Sequence, residues 1–162
     1  MAGDRDDNRA EDRLAIAPGS RLDLGVPGCF LLRLQSFRDN RGAITVAETD
    51  TIFPFRPARV FFVRDVPSPS VRGEHAHRRC AQALCALKGS VTVSVEDGRG
   101  HAATVHLSHP TVALHIPPMI WAAQTGFTDG ALLAVFASHA YDAADYLRTQ
   151  ADFRKAVAEG PA

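Results

Sequence analysis

Two histidines separated by a single residue form the most reactive short pattern in this chain. The run Arg72-Gly-Glu-His-Ala-His-Arg-Arg places His75 and His77 between two strand-forming segments. On an extended segment, residues two apart point to one face, with Cα atoms about 6.5–7 Å apart. Both imidazoles then address one pocket. Histidine titrates near neutral pH without help, so this spacing suits either two ligands of one metal or a proton donor and acceptor acting on neighbouring atoms of one substrate. Two surface histidines in a basic turn have the same spacing and no chemistry.

A metal centre needs three or four protein ligands. A β-barrel metal site would place a glutamate four positions after His77, and Ala81 stands there. A further histidine is expected near Pro117-Pro-Met-Ile-Trp, but Trp121 is followed by Ala122 and Ala123. His115 lies in an apolar strand, where a hydrogen-bonded structural histidine is the ordinary finding. Half the ligand set is missing, so the preferred chemistry is proton transfer with no metal and no other cofactor. His101, His106, His109 and His139 fall in turns or at strand edges and take no role.

The elements that must hold the two histidines are short strands. Candidates are Cys29-Phe-Leu-Leu-Arg-Leu, Ala43-Ile-Thr-Val-Ala-Glu, Arg59-Val-Phe-Phe-Val-Arg and Gln82-Ala-Leu-Cys-Ala-Leu, separated by Pro and Gly clusters. Val91, Val93 and Val95 then alternate with Thr92, Ser94 and Glu96, the period of a half-buried strand. Asp97-Gly-Arg-Gly reads as a hairpin turn, the strand returns over 102–107, and 112–116 and 131–137 complete an all-β pattern of antiparallel strands in a sandwich or barrel. Only the C-terminus changes period: Asp142 caps a helical segment with Asp145 in its first turn, and Tyr146, Phe153 and Val157 recur at near-helical spacing.

Composition bounds the partners. The chain has 162 residues, 46% of them hydrophobic, with 18 Lys plus Arg against 18 Asp plus Glu. A neutral chain lacks the cation surplus of a nucleic-acid binder, which leaves a small ligand and a local anion site. Residues 3–13 hold eight charged side chains of both signs, so 1–20 is expected to be a disordered lead-in and 21–162 a single domain. No signal-like or membrane-spanning apolar run is present, which predicts a cytoplasmic protein that does not engage a membrane. Cys29, Cys80 and Cys85 form no Cys-x-x-Cys pair and read as small buried hydrophobes.

Taken in order, the motifs resemble those of the sugar-nucleotide 3,4-ketoisomerases, cupin-fold enzymes acting on dTDP-4-keto-6-deoxyglucose. The matching pieces are Asp39-Asn-Arg-Gly, Pro54-Phe with Arg59-Val-Phe-Phe, Arg72-Gly-Glu-His-Ala-His, Gln82 with Gly89-Ser90, Glu96-Asp-Gly, Ile116-Pro-Pro-Met-Ile-Trp, Ala137-Ser138, and Tyr141-Asp-Ala-Ala-Asp-Tyr-Leu-Arg ending at Phe153. The resemblance implies an RmlC-like cupin, an antiparallel β-barrel or jelly roll with a short C-terminal helical segment. It also implies a homodimer and a metal-independent isomerisation that moves a carbonyl from C4 to C3 of the hexose in deoxysugar biosynthesis. His75 would be the base at carbon, and His77 would shuttle the hydroxyl proton between the two oxygens. The proton α to a carbonyl is acidic enough for a neutral imidazole to remove if the developing enediolate is hydrogen-bonded. Arg41, Arg59 and Arg72 would supply cations for the sugar and diphosphate, with Gln82, Trp121 and Tyr141 as further substrate contacts.

The chain departs from the family pattern at Phe61 and Phe62, where tyrosines are common, at Ala81 for Glu, and at Ala122 for His. Two alternatives follow. One is a dTDP-sugar 3,5-epimerase-like cupin, which would pair a His with an Asp and use a Tyr acid, for which Tyr141 is the candidate outside the helix. The other is a non-catalytic sugar-nucleotide-binding cupin.

Overall fold

Alternation becomes burial along the central strands. In the computed structural model, which describes residues 16–49 and 51–160, Val91, Val93 and Val95 are all buried while Ser94 between them is exposed. Thirteen strands form: β1 (Arg21–Asp23), β2 (Phe30–Arg33), β3 (Gln35–Asp39), β4 (Gly42–Val46), β5 (Arg59–Arg64), β6 (Arg72–His77), β7 (Gln82–Lys88), β8 (Val91–Glu96), β9 (Ala102–Leu107), β10 (Val112–Ile116), β11 (Trp121–Thr125), β12 (Leu132–Ala137) and β13 (Tyr146–Leu147). One helix, α1 (Gln150–Glu159), follows.

The strands make two antiparallel sheets, ordered β1-β2-β10-β7-β12-β5 and β13-β6-β11-β8-β9. From β5 onward, apart from the β8–β9 hairpin, consecutive strands alternate between the two sheets, as in a jelly roll. The inner faces of both sheets meet in one core that includes Leu31, Leu84, Val93, Val95, Leu114, Leu133 and Val135. A second cluster coats the outer face of the six-stranded sheet, where Phe53 packs on Phe136 above Ala83, Cys85 and Ala113. The three cysteines are free and buried, as expected. Burial pushes the Cys29 and Cys85 thiols up to about 12, so both stay protonated.

The pair β3–β4 stands apart as a two-stranded sheet of its own. Its cross-strand pair Phe37 and Ile44 is 59% and 67% exposed. The expected lead-in over residues 1–20 lies, for 1–15, outside the described residues. Ile16 is buried in the main core, and the Gly19 N–H donates to the Arg33 carbonyl. No helix among the described residues is long and apolar enough to cross a membrane.

The C-terminus corrects the expected helix from Asp142. Asp142 does cap a turn, accepting from the Ala144 N–H, but that turn is a single 3-10 stretch, Ala143–Asp145. The chain then extends through β13, with Tyr146 paired to His77, before Thr149 caps α1. Tertiary partners of Asp145 and Tyr146 break the local period. Phe153 and Ala156 on α1 are buried against Ala76 and Leu147 on the back of the histidine strand.

Candidate active site

Strand β6 carries the histidines and a bulge that aims them. Opposite it on β11, Ala122 faces His75 and Ala123 faces Gly73, so Glu74 is the extra residue. Gly73 has φ 78°, and a Cβ there would meet the Ala122 carbonyl at 2.9 Å, which requires glycine. Glu74 also has positive φ, 52°. A non-glycine residue held there costs about 1–3 kcal/mol, strain of the kind that collects at functional sites. The bulge absorbs one residue of the strand's alternation, and Arg72 and His75 line the same hollow as a result.

His75 and His77 do share a face, with ring centroids 4.9 Å apart and planes nearly perpendicular. The His75 Nδ1 lies 2.9 Å from the Gly73 carbonyl. A carbonyl only accepts, so the proton of the neutral ring sits on Nδ1 and Nε2 is left basic. Burial holds the His75 pKa below 6.5, outweighing the Gly73 bond, and the Arg148 charge lowers it further. The His75 ring is therefore neutral at pH 7.

His77 is buried, and its Nδ1 lies 2.9 Å from Asp145 Oδ2. Its Nε2 lies 3.2 Å from the Gln82 amide nitrogen. Burial pushes the Asp145 carboxyl up, but the bonds from His77 and from the Arg79 N–H outweigh it and leave the group below its ordinary range. An ionised Asp145 accepts from His77 Nδ1–H, so Nε2 accepts from the Gln82 NH2 group. Burial also keeps the His77 pKa below 6.5, against the raising effect of Asp145 and with smaller lowering contributions from His75 and Arg59.

The hollow beside the His75 ring has a volume of about 390 Å³, and Phe61, Arg72, His75, Gln82, Tyr141, Tyr146 and Arg148 are among its walls. A narrower recess beneath is lined by both histidines, Cys80, Gln82, Ala122 and Gln124. Tyr146 packs 4.3 Å from the His77 ring and 5.0 Å from His75, and Arg148 stacks over Tyr146 at 4.4 Å. Arg59 sits over Phe61 and Tyr141, and its Nε is buried with no hydrogen-bond partner among the described residues. Arg72 and Arg148 have no carboxylate partner among the described residues. The hollow therefore joins the His75 imidazole to positive charge that no carboxylate among the described residues offsets, and through Gln82 and His75 it adjoins the recess that holds His77, an arrangement suited to proton transfer on an anionic ligand.

Of the expected site residues, the structure brings together His75, His77, Arg59, Arg72, Gln82 and Tyr141. Two fall elsewhere. Trp121 packs on Phe153 at 5.7 Å: Ala122 and Gln124 take the pocket face of β11, and alternation turns Trp121 to the α1 side. Arg41 lies at the tip of the β3–β4 arm, bonded to Asp39, in a hollow lined wholly by arm residues. Among the family departures, Phe61 and Ala122 line the pocket. Phe62, 58% exposed, faces away.

Asp145, Tyr146 and Arg148 were not among the expected site residues. Their signal was present in the matched Asp-Ala-Ala-Asp-Tyr-Leu-Arg run, but helical spacing concealed it. Asp145 also brings His77 and Cys80 ligand-type atoms within 4.8 Å of one another and of its own carboxylate. Those atoms are already engaged: the carboxylate accepts from His77, the Arg79 N–H and the Cys80 N–H, and the Cys80 thiol lies 3.4 Å from the Ala81 carbonyl. His115 is hydrogen-bonded within its strand environment, as its apolar setting predicts: it donates to the Gly28 carbonyl on the outer face and stacks on Phe30.

The arrangement has close relatives. The family described as FdtA: WxcM-like, C-terminal matches residues 27–158. The TDP-4-oxo-6-deoxy-α-D-glucose-3,4-oxoisomerase of Aneurinibacillus thermoaerophilus is 31% identical over 129 residues, 80% of this chain and 92% of that one. Among solved structures, the 3,4-ketoisomerase QdtA of Thermoanaerobacterium thermosaccharolyticum, in a mutant form in complex with TDP-4-keto-6-deoxyglucose, superposes with a TM-score of 0.80. It is 28% identical, over 83% of this chain and 97% of that one. The TDP-quinovose 3,4-ketoisomerase WlaRB of Campylobacter jejuni is 34% identical with a TM-score of 0.77, over 81% of this chain and all of that one.

Proposed function

Because the chain belongs to the cupin-fold family of TDP-sugar 3,4-ketoisomerases, we propose that it moves the carbonyl of TDP-4-keto-6-deoxyglucose from C4 to C3 in the cytoplasm, without a metal. The carrying observation is the pair of neutral histidines 4.9 Å apart, each with Nδ1 committed and Nε2 basic, His75 lining the cationic hollow and His77 the recess that adjoins it. His75 removes the C3 proton and returns a proton to C4, while His77 moves the hydroxyl proton from the C3 oxygen to the C4 oxygen. Arg59, Arg72 and Arg148 hold the diphosphate and offset enediolate charge, and Gln82 and Tyr141 orient the sugar.

We read the protein as a homodimer. A lone two-stranded hairpin is marginal in water, and β3–β4 carries the exposed Phe37–Ile44 pair. The edge strand β5 likewise exposes Val60 and Phe62. A second copy covers both surfaces, and Arg41 reaches substrate only across that interface.

Incubation with TDP-4-keto-6-deoxyglucose in deuterated buffer tests the reaction. A 3-keto product with deuterium at C4 supports it, and binding without exchange would leave a non-catalytic sugar-nucleotide-binding cupin. The His77–Asp145 couple beside Tyr146 is also what an epimerase-like cupin calls for, so inversion at C5 would establish that reading instead. Stoichiometric metal whose removal abolished turnover would overturn the metal-free mechanism.

A further inference from the structure

Asp145 is buried, lies 68 positions from His77 in sequence, and accepts from three N–H groups. Oδ1 takes the Arg79 N–H at 2.7 Å. Oδ2 takes His77 Nδ1–H at 2.9 Å and the Cys80 N–H at 3.2 Å. Its own carbonyl accepts the Arg78 N–H at 2.8 Å, so both its backbone and its side chain are tied to the loop after β6. A carboxylate pinned on both oxygens cannot rotate away from the imidazole. It fixes the ring's orientation and its tautomer together.

We propose that Asp145 is a positioning residue, holding His77 with its proton on Nδ1 so that Nε2 exchanges the substrate hydroxyl proton, and stabilising the imidazolium that forms. This rests on the role given to His77 above. In the step, the substrate O–H bond breaks as the Nε2–H bond forms, while Nδ1–H and the ionised carboxylate stay as they were. The Nε2–H bond then breaks to protonate the other oxygen, and no proton is gained or lost.

The groups around the His77 ring make such a counter-charge necessary. His75 lies beside it on β6, Arg59 acts from β5, and Gln82 from β7 and Tyr146 from β13 are neutral. Among these neighbours Asp145 alone is negative. The Gln82 NH2 group at 3.2 Å marks Nε2 as the accepting nitrogen, and it must give way as the substrate hydroxyl approaches.

Proton–nitrogen correlation spectra of the full-length protein, labelled at histidine nitrogen, read the tautomer directly. The expected result is His77 protonated at Nδ1 and bare at Nε2, with Asp145→Asn moving the proton to Nε2. That variant should lower kcat by at least about 100-fold, the scale of a positioned acid–base group. KM should change little, and the acidic limb of the kcat–pH profile should move to lower pH because a group that raises the His77 pKa is gone. Merely structural damage would not reverse the tautomer.

A wild-type His77 protonated at Nε2 would overturn the proposal, and so would a folded Asp145→Asn variant with unchanged turnover and pH profile. One equivalent of zinc that displaced the Nδ1 proton of His77 in wild-type protein would overturn it in favour of a metal at His77, Cys80 and Asp145. If Asp145→Asn does not fold, the wild-type spectrum decides. A correct tautomer in a protein that exchanges no substrate proton would refute the ketoisomerase reading, and with it the catalytic part of this role. It would leave Asp145 as the holder of the ring.

Discussion

Two histidine–aspartate couples occur among the described residues, and their company differs more than their geometry. At His77–Asp145 the nitrogen and oxygen are 2.9 Å apart and both side chains are about nine-tenths buried or more. At His101–Asp97 they are 2.6 Å apart, but the residues are four apart in sequence and His101 is 56% exposed. Asp97 also accepts the Arg99 and His101 N–H groups, closing the β8–β9 turn, while Arg99 reaches the Val157 carbonyl on α1. One couple staples a turn. The other orients a ring beside His75 and near Arg72 and Arg148, which have no carboxylate partner among the described residues. An aspartate hydrogen-bonded to a histidine therefore signals chemistry only where the ring lies next to a space that a ligand can enter and water screens weakly.

The comparison breaks most sharply at the histidines themselves. His77→Ala is expected to lower turnover at least about 100-fold, and His75→Ala to abolish exchange with solvent, whereas His101→Ala should leave kcat within about twofold. Solvent-exchange kinetics on the three variants check this. Equal losses at His77 and His101 would dissolve the distinction.

Acid should act next. His75, His77 and His115 have folded pKa values below 6.5. The unfolded chain then takes up protons first, and stability present above pH 6.5 declines as pH falls through the folded values. Asp145 and Asp97 are lowered from 3.8, so their contribution persists until the pH falls below 3.8. A thermal-melting series against pH should show these two windows, and kcat should fall with the histidine window alone.

Smaller effects sharpen the contrast. Arg148→Ala should weaken TDP binding by about tenfold, roughly 1.4 kcal/mol, while thymidine binding stays unchanged, because the lost contact is to phosphate. Titration calorimetry with both ligands distinguishes this from general damage. Asp97→Ala should cost about 1–3 kcal/mol of stability, through buried donors left unpaired, with kcat of the folded enzyme unaffected. Chemical denaturation and assay of the same sample measure both.

Local chemistry made much of this molecule legible. Alternation at Val91, Val93 and Val95 located β8, Asp97-Gly-Arg-Gly located its turn, and the single residue between His75 and His77 put both rings on one face. These features depend on neighbours within a few residues, which a period of two encodes directly. The bulge at Glu74 was not legible, since it exists only as a mismatch with β11. Strand β11 itself was missed because it follows a proline-rich run and holds alanines and a polar residue.

Spacing also misled where a long-range partner outbid it. Tyr146 fits a helical period with Phe153 and Val157, yet it lies on a strand opposite His77 because Asp145 is drawn inward by three donors. Trp121 belongs to a family motif and still points to α1, since the sheet's alternation and Phe153 settle its direction. By itself, then, the sequence determined the strand class, the two histidines on one face and the kind of proton chemistry proposed for them, because those follow from residue type and local period. Only the tertiary structure decided that Asp145 holds His77 and that Arg148 joins the cationic wall. Those contacts bring together residues about 70 positions apart, and no local pattern carries that distance.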